Sequence, residues 1–64
     1  MKQNIELVKN LLIKNTDGVT LSEISRSLNI SRNTAAIALA ELKGAQLIRI
    51  RPVGIAKLNY WRGK

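Results

Sequence analysis

The 64-residue chain contains no cysteine and no histidine. The first absence removes disulfides and thiolate metal sites as ways of stapling a small domain together. The second removes the commonest metal ligand and the side chain most often used as general acid or base near neutral pH. Acidic groups are scarce as well. Glu6, Asp17, Glu23 and Glu41 are the only four, and they are too scattered to form a catalytic pair or an oxygen cage for a cation. The glycines make no phosphate-cradling loop. No apolar run approaches the ~18 residues of a membrane span, and no short apolar core with a cleavage site follows the basic start. The expectation is a protein that is not an enzyme, needs no metal or cofactor, does not enter a membrane, and sits in the cytoplasm in association with the nucleoid.

What is abundant is positive charge. Eleven Lys and Arg against the four acids give a net charge of +7. Such a surplus is the electrostatic footprint expected of a nucleic-acid binder, the alternative being a basic but inert surface. The length fits one small domain over residues 1–64, which buries only about 60% of the surface its unfolded chain exposes.

Hydrophobic spacing orders the chain. Ile5, Val8, Leu11 and Leu12 share one stripe of an expected helix over 4–15, with Leu7 at its border and Ile13 well off it. Thr16-Asp17-Gly18 breaks that helix, and Val19 is a candidate for a minimal strand. Thr20-Leu21-Ser22-Glu23 reads as a capping box opening a helix over 21–28, with Leu21, Ile24 and Leu28 inward. Asn29 accepts the left-handed conformation at its end, Ile30 fills the corner, and Ser31 caps the next helix. That helix is expected over 32–43, burying Ala35, Ala38, Leu39 and Leu42, with Gly44 as the residue that stops it. The period then changes to two. Ile48 and Ile50 alternate with Arg49 and Arg51, Pro52-Val53-Gly54 is read as the turn, and Ala56–Tyr60 returns, giving a hairpin over 47–61. In this reading Tyr60 closes the core, Trp61 faces the other way, and Arg49, Arg51 and Lys57 share a solvent face.

Two helices joined by a tight turn, the second opening on Ser31-Arg32-Asn33, make a helix-turn-helix followed by a hairpin. The segment ISRNTAAIALAELKGAQLIRI resembles the recognition helix and first wing strand of winged helix-turn-helix transcription regulators of the multiple-antibiotic-resistance and arsenic-repressor types and their small archaeal or mobile-element relatives. Ser31, Arg32 and Thr34 match the family's Ser-Arg-x-Thr start, Leu39 and Leu42 its core positions, and Leu47-Ile48 its strand start. Asn29 and Gln46 stand where the family usually carries glycine, and the hairpin is short. The resemblance implies an α+β fold, a three-helix winged helix-turn-helix with a C-terminal β-hairpin wing, and sequence-specific binding of double-stranded DNA as a small transcription regulator.

In such a complex the recognition helix lies in the major groove and the wing on the adjacent backbone. Arg32 and Asn33 are then candidates for guanine and adenine edges, or else simply solvated first-turn residues. Ala36 and Ala40 would let the backbone approach closely. Ala36 and Ile37 offer apolar contact to thymine methyls, and Ile37 suits a protein interface equally well. Backbone contacts are expected from Thr20, Ser22, Arg26, Ser31, Lys43, Arg49, Arg51 and Lys57. Two other readings stay open: a winged-helix module that docks on a protein through Ile37, Val53 and Ile55, and an architectural protein that binds DNA without sequence preference. A monomer and a weak homodimer through Leu7 and Ile13 of the first helix are both compatible with the chain.

Overall fold

The computed structural model describes residues 2–63, and of Lys2 the backbone only. Five elements follow in order: α1 (Lys2–Lys14), α2 (Leu21–Leu28), α3 (Arg32–Gly44), β1 (Ile48–Val53) and β2 (Ala56–Trp61). The arrangement is α+β, three helices followed by an antiparallel hairpin wing. Among the described residues no helix is long and apolar enough to cross a membrane.

The core is assembled from helical stripes and one strand residue. Val8 and Leu12 of α1, Ile24 of α2, Ala35, Ala38 and Leu42 of α3, Val19 and Ile48 form one buried cluster. Val8, Leu12 and Ile24 are its largest fully buried side chains, each worth about 1.5–3 kcal/mol of burial. Ala35 and Ala38 are fully buried as well, and their small side chains are what allow α3 to pack closely on both α1 and α2. Leu39, expected in the core, is only partly buried.

α1 begins two residues before its expected start and ends at Lys14 rather than residue 15. Asn15 stands outside it and closes its end, both its backbone N–H (3.0 Å) and its carboxamide Nδ2 (2.8 Å) donating to the Leu11 carbonyl. The next two helices end in one and the same way. Among the described residues, Asn29 (φ 54°) and Gln46 (φ 60°) are the non-glycine residues with positive φ. Around Asn29, its own N–H donates to the Arg26 carbonyl and that of Ile30 to the Ser25 carbonyl; around Gln46, the pair is Gln46 to Lys43 and Leu47 to Leu42. Each is the doubled C-terminal motif in which a left-handed residue is followed by an apolar one that folds back on the core, here Ile30 and Leu47. The Ser25 hydroxyl adds a 2.6 Å hydrogen bond to the Ile30 carbonyl, locking the turn between α2 and α3. Gly44, expected as the terminator, is instead the last residue of α3, because the chain reverses two residues later at Gln46.

The hairpin corrects two expectations. Its register pairs Val53 with Ala56 and Pro52 with Lys57, so the turn is Gly54-Ile55 and not Pro52-Val53-Gly54. Gly54 takes φ 62° at the first turn position, the arrangement of a type II′ hairpin. Pro52 is tolerated within β1 because a residue one step from such a turn points its missing N–H away from the partner strand. The second correction is parity. Pairing Ile48 with Trp61, Ile50 with Asn59 and Pro52 with Lys57 places these six on the face toward the helices, whereas Arg49, Arg51, Leu58 and Tyr60 share the outer face. Trp61 therefore packs against the core, and Lys9 Nζ stands 5.5 Å from its ring centroid. Tyr60 instead lies on the face of Arg49, its ring against Gly18. The parity follows from Asn59, which is buried and exchanges backbone hydrogen bonds of 3.0 and 2.8 Å with Val19. Its carboxamide donates a further 2.9 Å bond to the Val19 carbonyl, so this polar side chain is satisfied in the core.

Candidate nucleic-acid interface

The first turns of α2 and α3 are fixed by hydroxyl caps. The Thr20 Oγ1 accepts the Glu23 N–H (3.2 Å), and the Glu23 Oε1 accepts the Thr20 N–H (2.9 Å), the full capping box. The hydrogen bond from the Thr20 backbone, then that from its side chain, holds the Glu23 carboxyl below the usual carboxylate range, with help from the Arg26 charge. One consequence is that the Thr20 N–H is already used and cannot serve a phosphate, while its hydroxyl proton is free. Ser31 caps α3 by accepting the Thr34 N–H at 3.0 Å, and its own hydroxyl donates to Thr34 Oγ1 at 2.8 Å. The hydroxyl left able to donate outward is thus that of Thr34, a candidate the sequence reading missed. The Ser-x-x-Thr spacing, which sets two hydroxyls one helical turn apart, is the signal for it.

α3 meets the hairpin across a cleft of about 580 Å³. Its α3 wall carries Arg32, Ala36, Leu39, Ala40 and Lys43; its hairpin wall carries Ile50, Ile55, Ala56, Lys57 and Asn59; Thr20, Leu21 and Ser22 close one end. Half of the expected contact residues, namely Thr20, Ser22, Arg32, Ala36, Lys43 and Lys57, are brought together here. Three of them are cationic, and none of the lining residues is acidic. The floor is apolar, from Leu39 and the half-exposed Ile50.

The remaining candidates fall elsewhere. Asn33 and Ile37 are exposed on α3 outside the cleft, Ile37 at 42%. At 100° per residue they lie on the side of α3 turned away from Ala35, Ala38 and Leu42. Arg49 and Arg51 stand on the outer face of the hairpin with Tyr60 and Arg62. They do not share a face with Lys57, contrary to expectation, because the hairpin parity puts Lys57 on the cleft side. Arg26 borders a separate hollow between α1 and α2 together with Glu23 and Ser27, away from the cleft. Arg62 was not singled out from the sequence. Its only signal there is a positive charge just past the last alternating residue.

No protein-family model, curated protein or solved structure matches the chain. The family resemblance rests on Ser31, Arg32, Thr34, Leu39, Leu42 and Leu47-Ile48.

Proposed function

We propose that this protein binds double-stranded DNA as a small transcription regulator, with α3 in the major groove and one sugar-phosphate strand in the cleft between α3 and the hairpin. The observation that carries the reading is the cleft, which gathers Arg32, Lys43 and Lys57 without a single carboxylate in a chain of net charge +7. Lys43, Lys57 and the free hydroxyls of Thr20 and Ser22 hold phosphates of that strand. Arg32 and Asn33 reach base edges at the start of α3, and Ala36, Ile37 and Ala40 meet thymine methyls and let the helix sit deep. Arg51 and Arg49 serve the strand beyond the hairpin. Arg26, on the other side of α2, takes no part. Leu7 and Ile13 are about 120° apart around α1 and form no common stripe, which favours a monomer on the DNA over a dimer through α1.

Titration of a labelled duplex at increasing salt tests the reading. If about five phosphates are neutralised, log K falls with log salt at a slope of about −4.5. Affinity that ignores salt refutes duplex binding through this surface. The protein-docking alternative draws on the exposed Ile37, Val53 and Ile55. It requires weak duplex binding with no preference among sequences, and so does the architectural alternative apart from the weakness. Selection of duplexes from a random pool separates both from sequence-specific recognition.

A further inference from the structure

The hairpin tip is chemically odd for a solvent-exposed turn. Pro52, Val53, Gly54, Ile55 and Ala56 are all exposed, and none has a polar side chain. Turns are normally built from polar residues, and a run of exposed apolar side chains is a fault unless it meets a partner. Ile55 is the extreme, 108% exposed, touching nothing that would shield it. Folding thus gains nothing from this side chain. The two-residue turn holds it outward, with Gly54 at φ 62° supplying the conformation that a side chain would resist.

The surroundings state what the tip fits. Ile55 and Lys57 line the same cleft as Arg32 and Lys43, and Arg51 lies on the opposite face of the hairpin one pair above Pro52. The apolar point is therefore flanked by cations on both sides, which matches a partner with an anionic exterior and an apolar interior. On a duplex, crossing one sugar-phosphate strand from the major groove leads into the minor groove. With a strand in the cleft and α3 on one side of it, the tip comes to the minor groove on the other. That groove is about 6 Å wide, too narrow for a helix but open to the side chains of a tight turn. Apolar wedges entering there part adjacent base pairs and bend the duplex toward the major groove.

We propose that Ile55 is such a wedge: it enters the minor groove, unstacks one base step and bends the DNA, with Lys57 and Arg51 on the phosphates of the two bordering strands. This rests on the duplex-binding reading above. It also assigns the protein a preference for sites with a flexible pyrimidine–purine step at the wedge position.

The test uses the full chain and a short duplex with a central TpA step, 2-aminopurine at that step and a dye pair on its ends. The natural protein is expected to shorten the end-to-end distance and raise the 2-aminopurine fluorescence. Ile55→Ser is expected to abolish both and to weaken binding roughly tenfold or more, with an unchanged salt slope. Ile55→Phe is expected to keep the bend. Because Ile55 is fully exposed, equal melting temperatures for the three proteins are expected and are checked by circular dichroism. Salt-dependent binding by the natural protein without bending overturns the wedge alone, as does a bend that survives in Ile55→Ser. Absence of salt-dependent binding overturns the duplex reading and the wedge together. Loss in Ile55→Ser of binding to phosphatidylserine vesicles, with the DNA bend intact, overturns the wedge in favour of a lipid surface.

Discussion

The end of α3 carries its glycine two residues too early. Gly44 is helical, and a methyl group added to it meets nothing within 4 Å, whereas Gln46 holds φ 60° with a full side chain. A glycine inside a helix costs roughly 0.5–1 kcal/mol relative to alanine. A non-glycine residue in the left-handed region costs about 1–2 kcal/mol, and glycine there gives back some 0.5–1 kcal/mol of that through its looser unfolded state. Gly44→Ala and Gln46→Gly are therefore each expected to stabilise the fold by about 0.5–1 kcal/mol. For a domain of this size about 1 kcal/mol moves the melting temperature by about 4–8 °C, so the double variant should melt roughly 4–16 °C higher. Thermal denaturation followed by circular dichroism reads this directly. Urea midpoints should rise in step at an unchanged m-value. A lower melting temperature for Gly44→Ala, or no gain for Gln46→Gly, would refute the placement of the helix end.

Gly18 is the opposite case. It holds φ 93°, and a Cβ there would lie 2.8 Å from the Tyr60 ring and 3.2 Å from Leu58 Cβ. Gly18→Ala should cost about 2–4 kcal/mol, strain and overpacking together, as read from chemical denaturation. The lowered Glu23 carboxyl adds a pH dependence. A group whose folded pKa is depressed contributes stability that is fully present above its unfolded value and lost as pH falls through the folded one. The stability difference between the natural chain and Glu23→Gln should accordingly shrink as the solution is acidified through and below the carboxylate range, and a constant difference would contradict the capping-box account. On the binding side, Arg32→Ala is expected to lose about 1–3 kcal/mol on the best duplex and to relax sequence preference, while Arg51→Ala weakens all duplexes alike. Equal losses on every sequence for Arg32→Ala would remove it from base reading.

Local chemistry was legible from the residues alone. The Thr20–Glu23 box, the left-handed Asn29 and the Ser31 cap each depend on groups within a few positions of one another, and each occurs where the spacing places it. The hairpin parity was not. Ala56–Trp61 carries apolar residues at both parities, Ala56, Leu58 and Tyr60 on one and Trp61 on the other, so alternation cannot decide which face is inward. The decision lies in a long-range pairing, Val19 with Asn59, and in a turn one residue later than the proline suggests. A one-residue shift exchanges the two faces of a strand completely. It turned Lys57 from a partner of Arg49 and Arg51 into a wall of the α3 cleft, and it brought an asparagine instead of a tyrosine into the core. The α3 half of the candidate interface was therefore readable from helical spacing. The hairpin half, with Ile50 and Ile55 opposite Ala36 and Ala40, became visible only once the strands were paired.

The most direct test of the central claim is a map of amide shifts in the ¹⁵N-labelled protein as duplex DNA is added at low salt. The account predicts that the largest changes fall on the exposed face of α3 from Arg32 to Lys43, on the first turn of α2, and on the hairpin from Arg51 to Lys57, with α1 unmoved. Shifts concentrated on α1 around Leu7 and Ile13, or no shifts at all, would contradict it.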